Sequence, residues 1–150
     1  MGEFLAAIAT LVTLVYLALQ IRQNTRATRS ASHHAITEAL NQSNRLVTGD
    51  PDVARIWVAG KADRGALSDE DRERFDLHML AYFHVFDTLH YQVRTGAGDR
   101  ELLLAEEKSF AHLFSHPGVS EWWEANPYAF SPEFRSYMET FRLPDSAGHN

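Results

Sequence analysis

Cysteine is absent from the 150 residues. That removes any thiol nucleophile and fits a reducing compartment. A Gly-x-Ser-x-Gly elbow is missing too, and the Gly-Ala-Gly at 96–98 is too short to cradle a phosphate. No repeat or low-complexity block occurs. No run alternates apolar and polar residues as a half-buried strand would. Charge is missing altogether from residues 4–21, which read FLAAIATLVTLVYLALQI.

That uncharged run is the strongest positive feature. As a helix rising about 1.5 Å per residue it extends roughly 27 Å, against a hydrocarbon core of about 30 Å. A transmembrane helix is therefore expected over residues 4–21. A cleaved signal peptide fits less well, because the preceding Met-Gly-Glu has no basic residue and the following IRQNTRATR has no Ala-x-Ala element. Myristoylation asks for Ser or Thr at position 6, where this chain has Ala6. Arg22, Arg26 and Arg29 follow the run, while only Glu3 precedes it. Basic flanks favour the cytoplasmic side, so the expected location is a single pass of the cell inner membrane with the C-terminal domain cytoplasmic. Within the run, Ala6, Thr10 and Thr13 share one small-residue face that permits close helix–helix packing in lipid.

Beyond the arginines the balance changes sign. Residues 30–150 hold eleven Lys or Arg against nineteen Asp or Glu, a formal charge of −8. A domain of that sign is unsuited to nucleic acid or to a broad anionic surface. Only the three membrane-edge arginines are expected at lipid headgroups, at about 1 kcal/mol each.

Glycine and proline punctuate a chain that otherwise reads as helix. No Gly or Pro falls between Ile21 and Leu46, and Ala35, Ile36, Ala39, Leu40 and Val47 form a narrow apolar stripe. The membrane helix is therefore expected to continue as a membrane-proximal extension over 22–49, stopped by Gly49. Asp50-Pro51 is a cap followed by proline at the first helical position, opening a helix to about Ala62. Ser68 with Asp71 approximates a capping box and starts a long helix to about Thr95. Asp99 caps the next, to about Ser115; Pro117-Gly118 is read as an interruption before a short helical turn at Trp122 and Trp123. Ser131-Pro132 opens the last helix, to about Arg142. The expected organisation is all-α: a span at 4–21, its extension at 22–49, an acidic helical domain at 50–143 and a loose tail at 144–150.

One stretch looks chemical. HMLAYFHVFDTLHYQ, residues 78–92, carries His78, His84, Asp87 and His90. The histidines are six apart, and six steps of about 100° separate successive rings by about 120° around a helix. They point to three sides and cannot share one ion, for which helices use i, i+3 or i+4 spacing. What survives is His84, Asp87 and His90, each three apart, as a metal-binding or acid–base candidate. A second helix would have to complete it, and Glu106, Glu107 and His112 lack the required spacing. The plainer reading is a core stripe of Phe75, Met79, Tyr82, Phe83, Phe86, Leu89 and Val93 on the bundle's central helix. His33-His34 lies near Glu38, where a pH-sensitive surface pair or plain solvent exposure is expected. Of Trp122 and Trp123, one is expected to pack inward while the other covers the domain edge or meets a partner.

Four segments carry a resemblance: LVYLALQIRQNT, GDPDVARIWVAG, HPGVSEWWE and FSPEFRSYM. With these the chain resembles a widespread family of small bacterial single-pass membrane proteins with a C-terminal helical domain and no assigned activity. The resemblance implies the architecture and transfers no functional residue. The expected role is a non-enzymatic accessory or stabilising subunit of a membrane complex, without a cofactor. Its expected partners are the bilayer and other membrane subunits or its own copy, with no nucleic acid. The competing expectation is a membrane-tethered metal-binding or enzymatic domain using His84, Asp87 and His90.

Overall fold

The computed structural model describes residues 1–141, apart from the side chain of Leu5. Its elements are α1 (Gly2–Gly49), α2 (Pro51–Ala62), α3 (Asp69–Arg94), α4 (Arg100–Phe114), α5 (Pro117–Ala125) and α6 (Pro132–Glu139). No strand occurs among the described residues, as expected for an all-α chain. The tail at 144–150 and the domain boundary at 143 lie outside the described residues.

With no Gly or Pro between Glu3 and Thr48, α1 runs unbroken for 48 residues. Its stop is made differently from the expectation. Gly49 does not turn left-handed; the one positive φ among the described residues belongs to Gly96, at 82°. Instead Pro51 forces Asp50 out of the helical region, to φ −132° and ψ 116°. From there the Asp50 carboxylate accepts from the N–H groups of Asp52 and Val53 at 2.8 and 3.4 Å, capping α2.

Local chemistry sets the other ends as well. Ser68 Oγ accepts from Asp71 N–H at 3.2 Å and opens α3. At its far end Gly96 lets its own N–H and that of Ala97 reach the carbonyls of Val93 and Gln92 at 3.1 and 2.9 Å, a Schellman closure. Asp99 caps α4 through Glu101 and Leu102, and Ser131 caps α6 through Phe134. Pro117-Gly118 is a start, not an interruption: Pro117 occupies the first turn of α5 and Gly118 lies buried inside it. The last helix ends at Glu139, with Thr140 as its C-cap.

The reason for Gly118 is tertiary. A Cβ there would stand 1.9 Å from the Gly60 carbonyl oxygen, and a Cβ on Gly60 would meet the Phe75 ring at 2.4 Å. α2 and α5 cross backbone to backbone, and only glycines permit that approach.

α3 is the central element. Phe75, Met79, Phe83, Phe86 and Leu89 are each at most 1 % exposed. Phe86 stacks on Phe110 at 3.8 Å, and Phe83 lies within 5.6 Å of Phe110, Phe114, Trp122 and Trp123. It is not enclosed on all sides, however. Arg74, Leu77, Ala81, His84, Thr88 and Tyr91, at helical spacing, face solvent in one stripe. Five other helices of these lengths leave that face uncovered.

The second half of α1 runs antiparallel to α3. Ser43 Oγ meets His78 Nε2 at 3.3 Å near one end, and Arg29 Nε donates to the Gly96 carbonyl at 3.2 Å near the other. Ile36 and Leu40 are buried between them. The stripe that docks includes Ser32 and Ser43, while Ala35 stays exposed.

Candidate functional site

The three histidines of α3 diverge as the helical geometry demands. His78 packs edge-on against Trp57 at 4.9 Å, His84 lies beside Phe130 at 4.9 Å, and His90 stacks on Tyr137 at 4.2 Å. Each occupies a different aromatic wall. Burial lowers the pKa of His78 and of His90 below the ordinary 6.5; for His90 the neighbouring Arg94 adds to the effect.

Asp87 is half-buried, and burial pushes its carboxyl above the ordinary range despite the nearby His84, His90 and Arg94. No hydrogen bond or ion pair joins Asp87 to either imidazole among the described residues. The candidate trio of His84, Asp87 and His90 thus shares a neighbourhood without converging on a point. Among the described residues no group of three or more His, Asp or Glu is placed to hold a metal ion.

The second-helix candidates are engaged elsewhere. Glu107 Oε1 accepts from Tyr137 Oη at 2.6 Å, and burial, helped by this bond, drives the phenol far above its usual range. Glu106 is raised by burial alone. His112 turns to His116, their rings 5.3 Å apart.

Trp122 and Trp123 are both interior, at 1 % and 0 % exposure, so neither of the pair covers the domain edge, where one was expected. The α2–α5 crossing draws α5 so close that its whole inner face is enclosed. Trp123 stacks on Phe130 at 5.3 Å, carries the Arg135 guanidinium 4.3 Å above its ring, and donates from Nε1 to Glu139 Oε1 at 2.9 Å.

His33 is not paired with Glu38, which takes Arg45 instead at 2.5 Å. His33 Nδ1 lies 2.8 Å from Asp99 Oδ2, the residue that caps α4. One residue earlier, Ser32 Oγ donates to the Gln92 side chain. Together with Arg29 these side chains fasten α1 to the corner between α3 and α4. Sequence reasoning missed this clasp, since its partners stand 60 to 67 residues apart. It also missed Arg64, whose guanidinium grips both Asp76 oxygens at 2.6 and 2.7 Å and reaches Glu121 at 3.1 Å.

Two apolar surfaces stand exposed among the described residues. One is an apolar groove of about 350 Å³ lined by Leu46, Val53, Trp57, Leu77 and His78, with Leu46 and Leu77 57 % and 60 % exposed. The other is the N-terminal part of α1, where none of the most apolar eighteen-residue window is buried. It is the one described helix long and apolar enough to cross a membrane. There Thr10 and Thr13 return their hydroxyls to the carbonyls of Ala6 and Ala9 at 2.9 Å. The Ala6, Thr10 and Thr13 face is thereby small and already satisfied in hydrogen bonding.

No protein-family model matches the chain, and no curated protein or solved structure shows significant similarity to it.

Proposed function

We infer that the protein is a non-enzymatic, single-pass membrane interaction protein, an accessory or stabilising subunit held at the cytoplasmic face of a bacterial inner membrane. One observation carries this reading. The apolar half of α1 has Phe4, Leu11, Leu17 and Ile21 at 49–70 % exposure, yet the same helix continues without a break into the buried Ile36 and Leu40 of the bundle. Leaving that many apolar side chains in water is costly, at roughly 25 cal/mol per Å². A lipid environment removes the cost, and a stiff helix fixes the bundle at a set height above it.

The Ala6, Thr10 and Thr13 face suits close contact with another membrane helix or a second copy. The groove at Leu46 and Leu77 offers the bundle an apolar seat for a partner's side chains. The dispersed His84, Asp87 and His90 favour this reading over a tethered metal enzyme.

Native membranes solubilised in a mild detergent and sized by gel filtration test the proposal. The expected result is co-migration in an assembly larger than one chain with its detergent belt. Migration solely as a lone monomer overturns the subunit role, and release of the protein by alkaline carbonate overturns the membrane span itself.

A further inference from the structure

On a helical wheel Arg22, Arg26 and Arg29 fall within about 60° of one another. Ser32, His33, Ile36, Leu40 and Ser43 continue that same face, and it is the face against which α3 packs. The bundle therefore sits on the side of α1 from which the arginines project. Because α3 runs antiparallel to α1, its C-terminal end and the start of α4 form the bundle corner nearest the apolar run. Arg29 and Arg100 line an open cleft of about 540 Å³ at that corner, with Ser30, His33, Gly98, Asp99 and Glu101. Arg94, its guanidinium 5.8 Å above the exposed Tyr91 ring, stands two residues before Gly96 at the same end.

The charges there are unevenly satisfied. Asp99 is already occupied by His33 and by the amides of Glu101 and Leu102, so the cleft does not rely on the helix start as an anion seat. Arg22, Arg26, Arg94 and Arg100 enter no ion pair among the described residues. Glu101 is the one carboxylate in the cleft without a counter-charge. Arg94 and Arg100 of the acidic domain thus join Arg22, Arg26 and Arg29 of α1 at the end of the bundle nearest the apolar run.

Distances suit a headgroup. From Ile21 to Arg29 the helix rises about 12 Å, and the polar layer of a bilayer leaflet is roughly 5–8 Å deep. Arginine side chains extend far enough to close the difference. We propose that the notch between the Arg22–Arg26–Arg29 face and the α3–α4 corner holds the phosphodiester of an anionic phospholipid, with Arg29 and Arg100 as its principal contacts. The inference rests on the membrane reading above. Lipid in the notch would seat the bundle corner on the leaflet and fix the direction in which the groove at Leu46 faces.

The test uses the full chain in nanodiscs holding phosphatidylcholine and phosphatidylglycerol, released and weighed by native mass spectrometry. The expected result is selective retention of phosphatidylglycerol. Each arginine at an anionic surface is worth roughly fivefold, so Arg29→Gln with Arg100→Gln lowers that selectivity roughly twenty-five-fold. Arg100→Gln alone, which breaks no side-chain hydrogen bond or ion pair among the described residues, lowers it about fivefold. Arg45→Gln, about 24 Å farther along the helix, leaves it unchanged. Equal retention of the two lipids, or selectivity untouched by Arg100→Gln, overturns the proposal. Alkaline extraction of the same protein separates the two failures: a carbonate-resistant protein without selectivity loses only the lipid site, whereas an extractable one loses the membrane reading.

Discussion

Replacing Gly118 with alanine adds a single methyl group at the point where α5 crosses α2. Its position would be 1.9 Å from the Gly60 carbonyl oxygen and 3.0 Å from the Arg64 amide nitrogen. Both are backbone atoms, so no side chain can swing away. To reach an ordinary carbon–oxygen contact of about 3.3 Å the helices must separate by roughly 1.4 Å. That opens the packing around Val119, Trp122 and Trp123, all at most 1 % exposed. Overpacking of this kind costs about 1–3 kcal/mol, and the backbone clash places it near the upper value. Alanine returns about 1 kcal/mol through helix propensity, leaving a net loss of about 2 kcal/mol. For a bundle of this size the melting temperature should fall by roughly 8–16 °C. Near-ultraviolet circular dichroism of the full chain in mild detergent reads it, through the buried tryptophans. Gly49→Ala is the control: nothing lies within 4 Å of its Cβ position, so propensity alone acts and stability should hold or rise. A Gly118→Ala protein as stable as the parent would refute the crossing.

Three other perturbations test different parts of the fold. His78, His90 and His116 all have pKa values lowered, chiefly by burial, so the unfolded chain binds protons before the folded one as pH falls. Their contribution is intact above the ordinary value of about 6.5 and is lost progressively below it; urea midpoints that do not fall between pH 7 and 5 would count against the buried placement. Asp87 has the opposite sign, since burial raises its carboxyl and the charge is a net cost at neutral pH. Asp87→Asn should therefore match or exceed parental stability at pH 7, and a marked loss would point to a partner for the carboxylate. Arg64→Ala leaves Asp76, its side chain 28 % exposed, without its fork, and should cost about 2 kcal/mol. Arg72→Ala removes an exposed pair with Asp69 and should cost under about 1 kcal/mol in the same denaturation assay.

The histidine-rich stretch shows how far a wheel drawn from sequence reaches. Its period alone separated the three rings, and the structure places them against Trp57, Phe130 and Tyr137. The wheel also identified Phe75, Met79, Phe83, Phe86 and Leu89 as core. It could not tell that Leu77 and Tyr91 stay exposed, because hydrophobicity reports what a residue favours and neighbours decide what it meets. Pro117-Gly118 misled for a related reason. Both residues weaken helices by local rules, yet proline is tolerated in a first turn and the glycine answers to Gly60, 58 positions earlier in the chain.

By itself the sequence determined the uncharged run, the all-α character and the starts of every helix but α5, since caps, prolines and periodicity act within four or five residues. Tertiary structure alone decided the α2–α5 crossing, the enclosure of both Trp122 and Trp123, the Arg64 fork, and the clasp of Arg29, Ser32 and His33 on Gly96, Gln92 and Asp99. Each of these joins groups far apart along the chain. Which distant groups meet depends on how whole helices pack, and no local rule contains that information.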